Sequence, residues 1–213
     1  MYSKMKKSIH MNIHLSFLTA VVLLAFCACG EKLIIDSQPK PGTYFFSFEN
    51  DMEGWEKRAI DLELGDTLID WSIERTDEMV YYGKSALKFY LENYNDAGKI
   101  WIERPFVVKP NQNYRVEVTY AFASADFGLA NLWTIITGVV TKSPETRDDL
   151  VYQGHTGNGS DTDIGFKWLA KNYNFDVTSD SDGTLYVIVG VWGTWEGPRT
   201  YYLDFLHIDF TLK

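Results

Sequence analysis

Cysteine is nearly absent. The 213 residues contain two, Cys27 and Cys29, both within the first thirty positions. Once a leader is cut away there, no thiol is left for a disulfide, a redox pair or a catalytic nucleophile. A domain exported without disulfides must be held by its core alone, and roughly 180 residues are enough for one such domain. Positive charge is also scarce: 20 basic residues face 29 acidic ones, a net charge of −9. No basic patch offsets this, so nucleic acid and polyanionic ligands are disfavoured. Acidity in an exported protein also serves solubility. Helical signal is missing as well. Beyond the first thirty residues no stretch sustains a 3.6-residue apolar period, and no segment repeats. Nor is there a Gly-x-Ser-x-Gly elbow, a phosphate loop or a His-Glu-x-x-His pair. Two suitably spaced carboxylates would suffice for glycoside hydrolysis, but any acidic β domain supplies candidates such as Glu74, Glu92, Glu103 and Glu117, and they decide nothing.

The one long apolar run lies at the start. Lys4, Lys6 and Lys7 precede an apolar stretch from Ile13 to Phe26, followed by the small residues Ala28, Cys29 and Gly30. This is the plan of an export signal, and the run is short for a membrane span. Ala28-Cys29-Gly30 after it resembles a bacterial lipoprotein signal, with Cys29 as the acylated first residue. Cys27 follows the bulky Phe26 and fits less well. The reading is a signal peptide over 1–28 and a tether over 29–43, broken by Pro39, Pro41 and Gly42. Loss of the three lysines leaves 17 basic residues and moves the net charge to −12. The membrane is reached through this lipid alone, at the outer membrane or cell surface.

From residue 44 the chain reads as strands. Tyr44–Asp51, Asp70–Arg75, Ser85–Leu91, Lys99–Val108, Tyr114–Tyr120, Leu132–Val140 and Gly165–Val177 carry alternating or β-branched sequence. Pro110–Asn113 has the composition of a hairpin turn. The tail Gly183–Leu212 reads as two long strands joined at Glu196-Gly197-Pro198, one alternating on Val187, Val189 and Val191, the other on Leu206, Ile208, Phe210 and Leu212. Eight or so strands between Gly, Asn, Asp and Pro turns indicate an all-β antiparallel β-sandwich. The 142–163 segment is a long polar interruption, either a surface loop or a functional rim.

Four motifs, in order, resemble those of jelly-roll carbohydrate-binding modules with a galactose-binding-domain-like fold. Phe48-Glu49 with Gly54-Trp55 resembles their opening, and Gly83-Lys84-Ser85-Ala86-Leu87-Lys88 an inner strand entry. Phe106-Val107-Val108-Lys109-Pro110 before Tyr114-Arg115-Val116 resembles their central turn. Tyr202-Leu203-Asp204-Phe205-Leu206 resembles their closing strand, with Phe205 where a second Asp usually stands. The resemblance spans about residues 44–213. It implies a jelly roll, carbohydrate binding, and a structural calcium bridging Glu49 and Asp204. Hard carboxylate oxygens suit that ion, and an unpaired acid in an apolar strand is costly. The alternative is a hydrogen bond or ion pair, for instance with Lys88.

Indole rings offer flat apolar platforms to the C–H faces of sugars, and tryptophans are equally common in cores. If the tail valines face inward, period-two alternation puts Trp192 on the outer face of its sheet. Trp195 stands where the strand gives way, with Gly193 leaving room beside it. Trp192, Trp195 and Trp133 are the candidate platforms; Arg199, Tyr201, Glu196 and Asn131 are candidate hydrogen-bonding partners at the rim. Trp55 and Trp71 read as core, and His155 and His207 as solvated. The expected function is non-catalytic polysaccharide binding by a monomeric, envelope-anchored sandwich. The alternatives are a protein-interaction module and, less favoured, a small glycoside hydrolase or lyase.

Overall fold

The computed structural model describes residues 42–129 and 131–213. The signal peptide over 1–28, the lipid attachment at Cys29 and nearly all of the tether lie outside the described residues.

Thirteen strands are described: β1 Thr43–Phe46, β2 Glu56–Ile60, β3 Glu63–Leu64, β4 Thr67–Leu68, β5 Trp71–Thr76, β6 Ala86–Glu92, β7 Lys99–Val107, β8 Asn113–Ser124, β9 Thr134–Val140, β10 Tyr152–His155, β11 Lys167–Thr178, β12 Thr184–Trp192 and β13 Pro198–Leu212. They form two antiparallel sheets and a small β3–β4 hairpin. The first sheet runs β11-β8-β13-β6-β5, with β1 continuing along β13 where β6 stops. The second runs β10-β9-β12-β7-β2. The sandwich is therefore all-β, as its alternating sequence requires.

Val187, Val189 and Val191 of β12 meet Leu203, Leu206, Ile208 and Phe210 of β13 in one buried core. Burying each such side chain contributes about 1.5–3 kcal/mol, and this core does the work that disulfides do elsewhere. β12 and β13 belong to opposite sheets, so they do not pair, and 193–197 is a crossover between layers. Likewise β7 and β8 are not a hairpin. Between them Val108 N–H donates to Gly183 O (2.7 Å) and Asn111 N–H to Asp180 O (3.0 Å), tying the crossover to the β11–β12 turn. Pro110 has no N–H to give such a corner.

β13 carries a bulge. Its register slips between Asp204 and His207, and Phe205 has φ +56°. The inserted residue keeps Leu203 and Leu206 inward and puts both Asp204 and Phe205 on the outer face. That face is built in rows across the strands. Trp168, Ala123, Tyr202, Lys88 and Glu74 lie side by side, then Ala170, Ala121 and Asp204. Asn172, Thr119, His207 and Phe45 follow, then Asn174, Glu117, Asp209 and Thr43. None of these rows carries an aliphatic side chain larger than alanine.

Candidate functional site: a tryptophan cleft on the second sheet

The outer face of the second sheet is partly roofed. Trp101, Ile136, Ile188 and Leu150 form a second buried cluster there, with Tyr152 and Trp192 packed on it. The roof is the 141–151 segment, which takes in the first part of the 142–163 polar interruption of the sequence. Leu150 anchors it from below. Ser143 donates to the buried Glu103 (2.6 Å), which also accepts from Arg58 Nε and Trp101 Nε1, each at 3.0 Å. Lys142 pairs with Asp149 (2.9 Å), and Thr146 and Asp149 cap a single 3-10 turn at Arg147–Asp149. Those contacts hold the Asp149 carboxyl well below the ordinary carboxylate range.

Where the roof ends, a cleft of about 620 Å³ opens over Trp192. Asp61, Asp96 and Lys99 line it together with Glu145, Thr146, Arg147 and Asp148. Lys99 is only 2 % exposed at its side chain. Its ammonium donates to Asp61 Oδ2 and to Ala97 O, both at 2.6 Å, and stands 4.8 Å from the centre of the Trp192 ring. Tyr152 meets Trp192 at 4.9 Å and donates its hydroxyl to Arg147 O (2.8 Å). Burial first, then the charges of Asp61 and Asp148, push that phenol up to about 12, so it stays a proton donor at neutral pH. The indole N–H of Trp192 is buried without a partner in the described structure. An apolar ring edged by fixed donors and acceptors is the composition of a small-molecule or sugar subsite.

The other candidates separate. Trp195 is 58 % exposed on the crossover. Gly193 does not leave room beside it: a Cβ there would lie 2.4 Å from the Asn93 side chain and 2.9 Å from Trp133. Asn93 fills the space, donating to Trp195 O (3.3 Å) and accepting from Gly98 N–H (2.8 Å). Trp133 is not a platform. It is 1 % exposed, pressed against Tyr201 at 5.9 Å. Tyr201 is equally buried and stacks on Phe122, and its hydroxyl donates to Asp126 (2.6 Å), so it has no free surface for a ligand. Arg199 lies over Trp133 at 5.9 Å and pairs with Asp126 (3.3 Å). Asn131 accepts from Trp133 N–H (2.6 Å), and Glu196 is exposed on the crossover. The aromatic strand residues thus split by face. Alternation sent Trp192 outward, and a loop–strand junction turned Trp133 in. Lys99, Asp61, Asp96 and Tyr152 went unread in the sequence. The one visible signal was Lys99 and Glu103 flanking Trp101 on one face of an otherwise apolar strand.

Glu49 and Asp204 do not fit calcium. Asp204 is fully buried, and its Oδ2 accepts from Tyr81 N–H (2.9 Å) and Tyr82 N–H (2.8 Å) while Oδ1 accepts from Phe205 N–H (2.7 Å). Both oxygens of Glu49 accept from Lys84 N–H, and one also from Ser85 N–H. The carbonyls of Phe48 and Glu49 are taken by the Arg75 guanidinium at 2.7 and 2.5 Å. Calcium wants six to eight oxygens, and among the described residues no three acidic, His or Cys side chains converge on one point. Lys88 is not the partner either; it pairs with Glu78 (2.7 Å). The two acids instead pin the 77–85 loop to the sheet. Gly83 (φ +74°) makes the contact possible, since a Cβ there would sit 2.0 Å from Glu49 Oε1.

Comparison with known proteins places this architecture among others. No family model matches the chain, and no curated protein matches it. Among solved structures, the chain is similar to the CBM22-1 xylan-binding domain of Paenibacillus barcinonensis Xyn10C, at 18 % identity and a TM-score of 0.42, over 78 % of this chain and 92 % of that one. It is similar to TmCBM61 in complex with β-1,4-galactotriose at 15 % identity and a TM-score of 0.44, over 78 % and 94 %. The K1 cleaved adhesin domain of Lys-gingipain from Porphyromonas gingivalis W83 matches at 15 % identity and a TM-score of 0.49, over 78 % and 97 %. Carbohydrate-binding modules of the β-sandwich class are thus among its structural neighbours.

Proposed function

We propose that this chain is a non-catalytic module that binds a neutral polysaccharide in the Trp192 cleft, held at the bacterial envelope by a lipid on Cys29. The observation that carries the reading is the cleft itself: one aromatic floor, with Lys99 and Asp61 fixed beside it by their mutual hydrogen bond and the Tyr152 phenol by its bond to Arg147 O. Such a surface is largely preformed, so little ordering entropy opposes binding. The test is electrophoresis of the purified protein through native gels cast with xylan, galactan, mannan or glucan. One polysaccharide should retard the protein, and Trp192→Ala should weaken that retention by about tenfold or more, the loss of one well-packed aromatic anchor. Retention by none of them would sink the reading.

A second reading, a protein-interaction module, is favoured by Phe127, Leu129 and Leu132, all exposed between β8 and β9. A defined envelope partner recovered with the wild type, lost with Leu129→Ser and Leu132→Ser, and no glycan retention would select it.

A further inference from the structure

A second aromatic surface lies on the other sheet. Tyr81 meets Trp168 at 5.5 Å and Phe205 at 5.8 Å; Phe205 meets Tyr82 at 5.2 Å and Phe45 at 4.9 Å. The row runs from β11, over the 77–85 loop and the β13 bulge, to β1. Phe45, Tyr81 and Tyr82 are exposed by 44, 40 and 52 %. The bulge places Phe205 there, and Asp204 Oδ2 and the Glu49 carboxylate hold the loop that brings Tyr81 and Tyr82. Polar side chains already fixed in place occupy the next rows of the same face. Asn172 donates to Glu117 (2.6 Å) and Asn174 donates to Asn172 (3.1 Å), beside His207 and Thr119.

We infer that this outer face of the first sheet is a second polysaccharide-binding surface, separate from the Trp192 cleft, in which Tyr81, Tyr82, Trp168 and Phe205 carry the sugar faces and Asn172, Glu117 and His207 meet the hydroxyls. The inference rests on the carbohydrate-binding reading above. Two observations choose this occupant. The strand rows set carboxylates, amides and hydroxyls directly beside the aromatic rings, whereas the buried core of a protein interface is depleted of charged groups. Glu117 and Asp209 make the face acidic, which turns away anionic lipids and anionic glycans and leaves a neutral one.

The test compares the purified wild type with Trp192→Ala, with Tyr82→Ala and with Trp168→Ala, in native gels of xylan, galactan, mannan and glucan. Thermal melts accompany each variant, and Tyr82→Ala, at an exposed loop position, covers the case in which Trp168→Ala fails to fold. The expected result is that Tyr82→Ala or Trp168→Ala weakens retention by at least one polysaccharide about tenfold with the melt preserved, while Trp192→Ala leaves a residual retention that Tyr82→Ala then removes. Retention abolished by Trp192→Ala and untouched by both sheet variants overturns the second surface and keeps the first. No retention of the wild type on any polysaccharide overturns both.

Discussion

Asp204 is a buried carboxylate with three N–H donors and a second carboxylate, Glu49, nearby. Burial is the largest influence on it and, with Glu49, outweighs the amides, pushing its pKa up to about 6 from the ordinary 3.8. The sign follows directly. A group whose folded pKa is raised gives stability that is fully present below about pH 4 and is lost as pH rises through about 6. The wild type should therefore gain stability relative to Asp204→Asn as pH falls from neutral towards 4, and the difference between their melting temperatures should widen steadily in that window. A difference that stays flat with pH would mean that Asp204 is not desolvated as described. Trp192 tests a different property. It is packed on a satellite cluster and not in the main core, so Trp192→Ala should cost more in ligand affinity than in melting temperature.

The strands show what was legible and what was not. Period-two alternation marked β6, β12 and β13 nearly to their ends and β8 only as far as Tyr120, because the second half of β8 is buried on both faces and loses the pattern. It says nothing about which strand lies alongside. Pro110–Asn113 and 193–197 therefore read as turns between neighbours, while the chain crosses at both places from one sheet to the other. The Phe205 bulge was hidden for a related reason: one extra residue in a long strand leaves the local pattern apolar on both sides. The Trp192 platform was legible from alternation, but its cleft is assembled from Asp61, Asp96, Lys99 and 145–148, which only the fold brings together. The 141–151 roof was visible just as polarity. Its apolar anchor in the second cluster, Leu150, is 6 % exposed beside Trp101 and Ile188. Leu150→Ala should cost about 2–4 kcal/mol in denaturant unfolding and should loosen ligand binding as well, since the roof forms the cleft wall. A cost below about 0.5 kcal/mol would show that the segment is an ordinary surface loop, where substitutions are nearly neutral.

At the scale of the molecule, the described residues contain no cysteine, so no disulfide staples them. The sandwich has instead a continuous core of Trp, Phe, Tyr, Val, Leu and Ile from both sheets, and an internal cation at the place where the resemblance implied a metal. Arg75 donates to the Phe48 and Glu49 carbonyls and to the Ser85 hydroxyl, occupying backbone oxygens that a cation would need. A guanidinium is planar, permanently charged and covalently held, so this arrangement has no metal to lose. A bound calcium saturated a thousandfold above its dissociation constant would contribute about 4 kcal/mol, and stripping it would lower the melting temperature of a domain this size by roughly 10 °C. The described donor set supplies no such term. Excess chelator should therefore leave the melting curve where millimolar calcium leaves it, within about 1 °C, whereas Arg75→Met should lower it by several degrees at either condition. A calcium-dependent melt would show that the ion displaces Arg75 from the Phe48 and Glu49 carbonyls, and a calcium dependence that appears only in Arg75→Met would show that the guanidinium and the ion compete for the same oxygens.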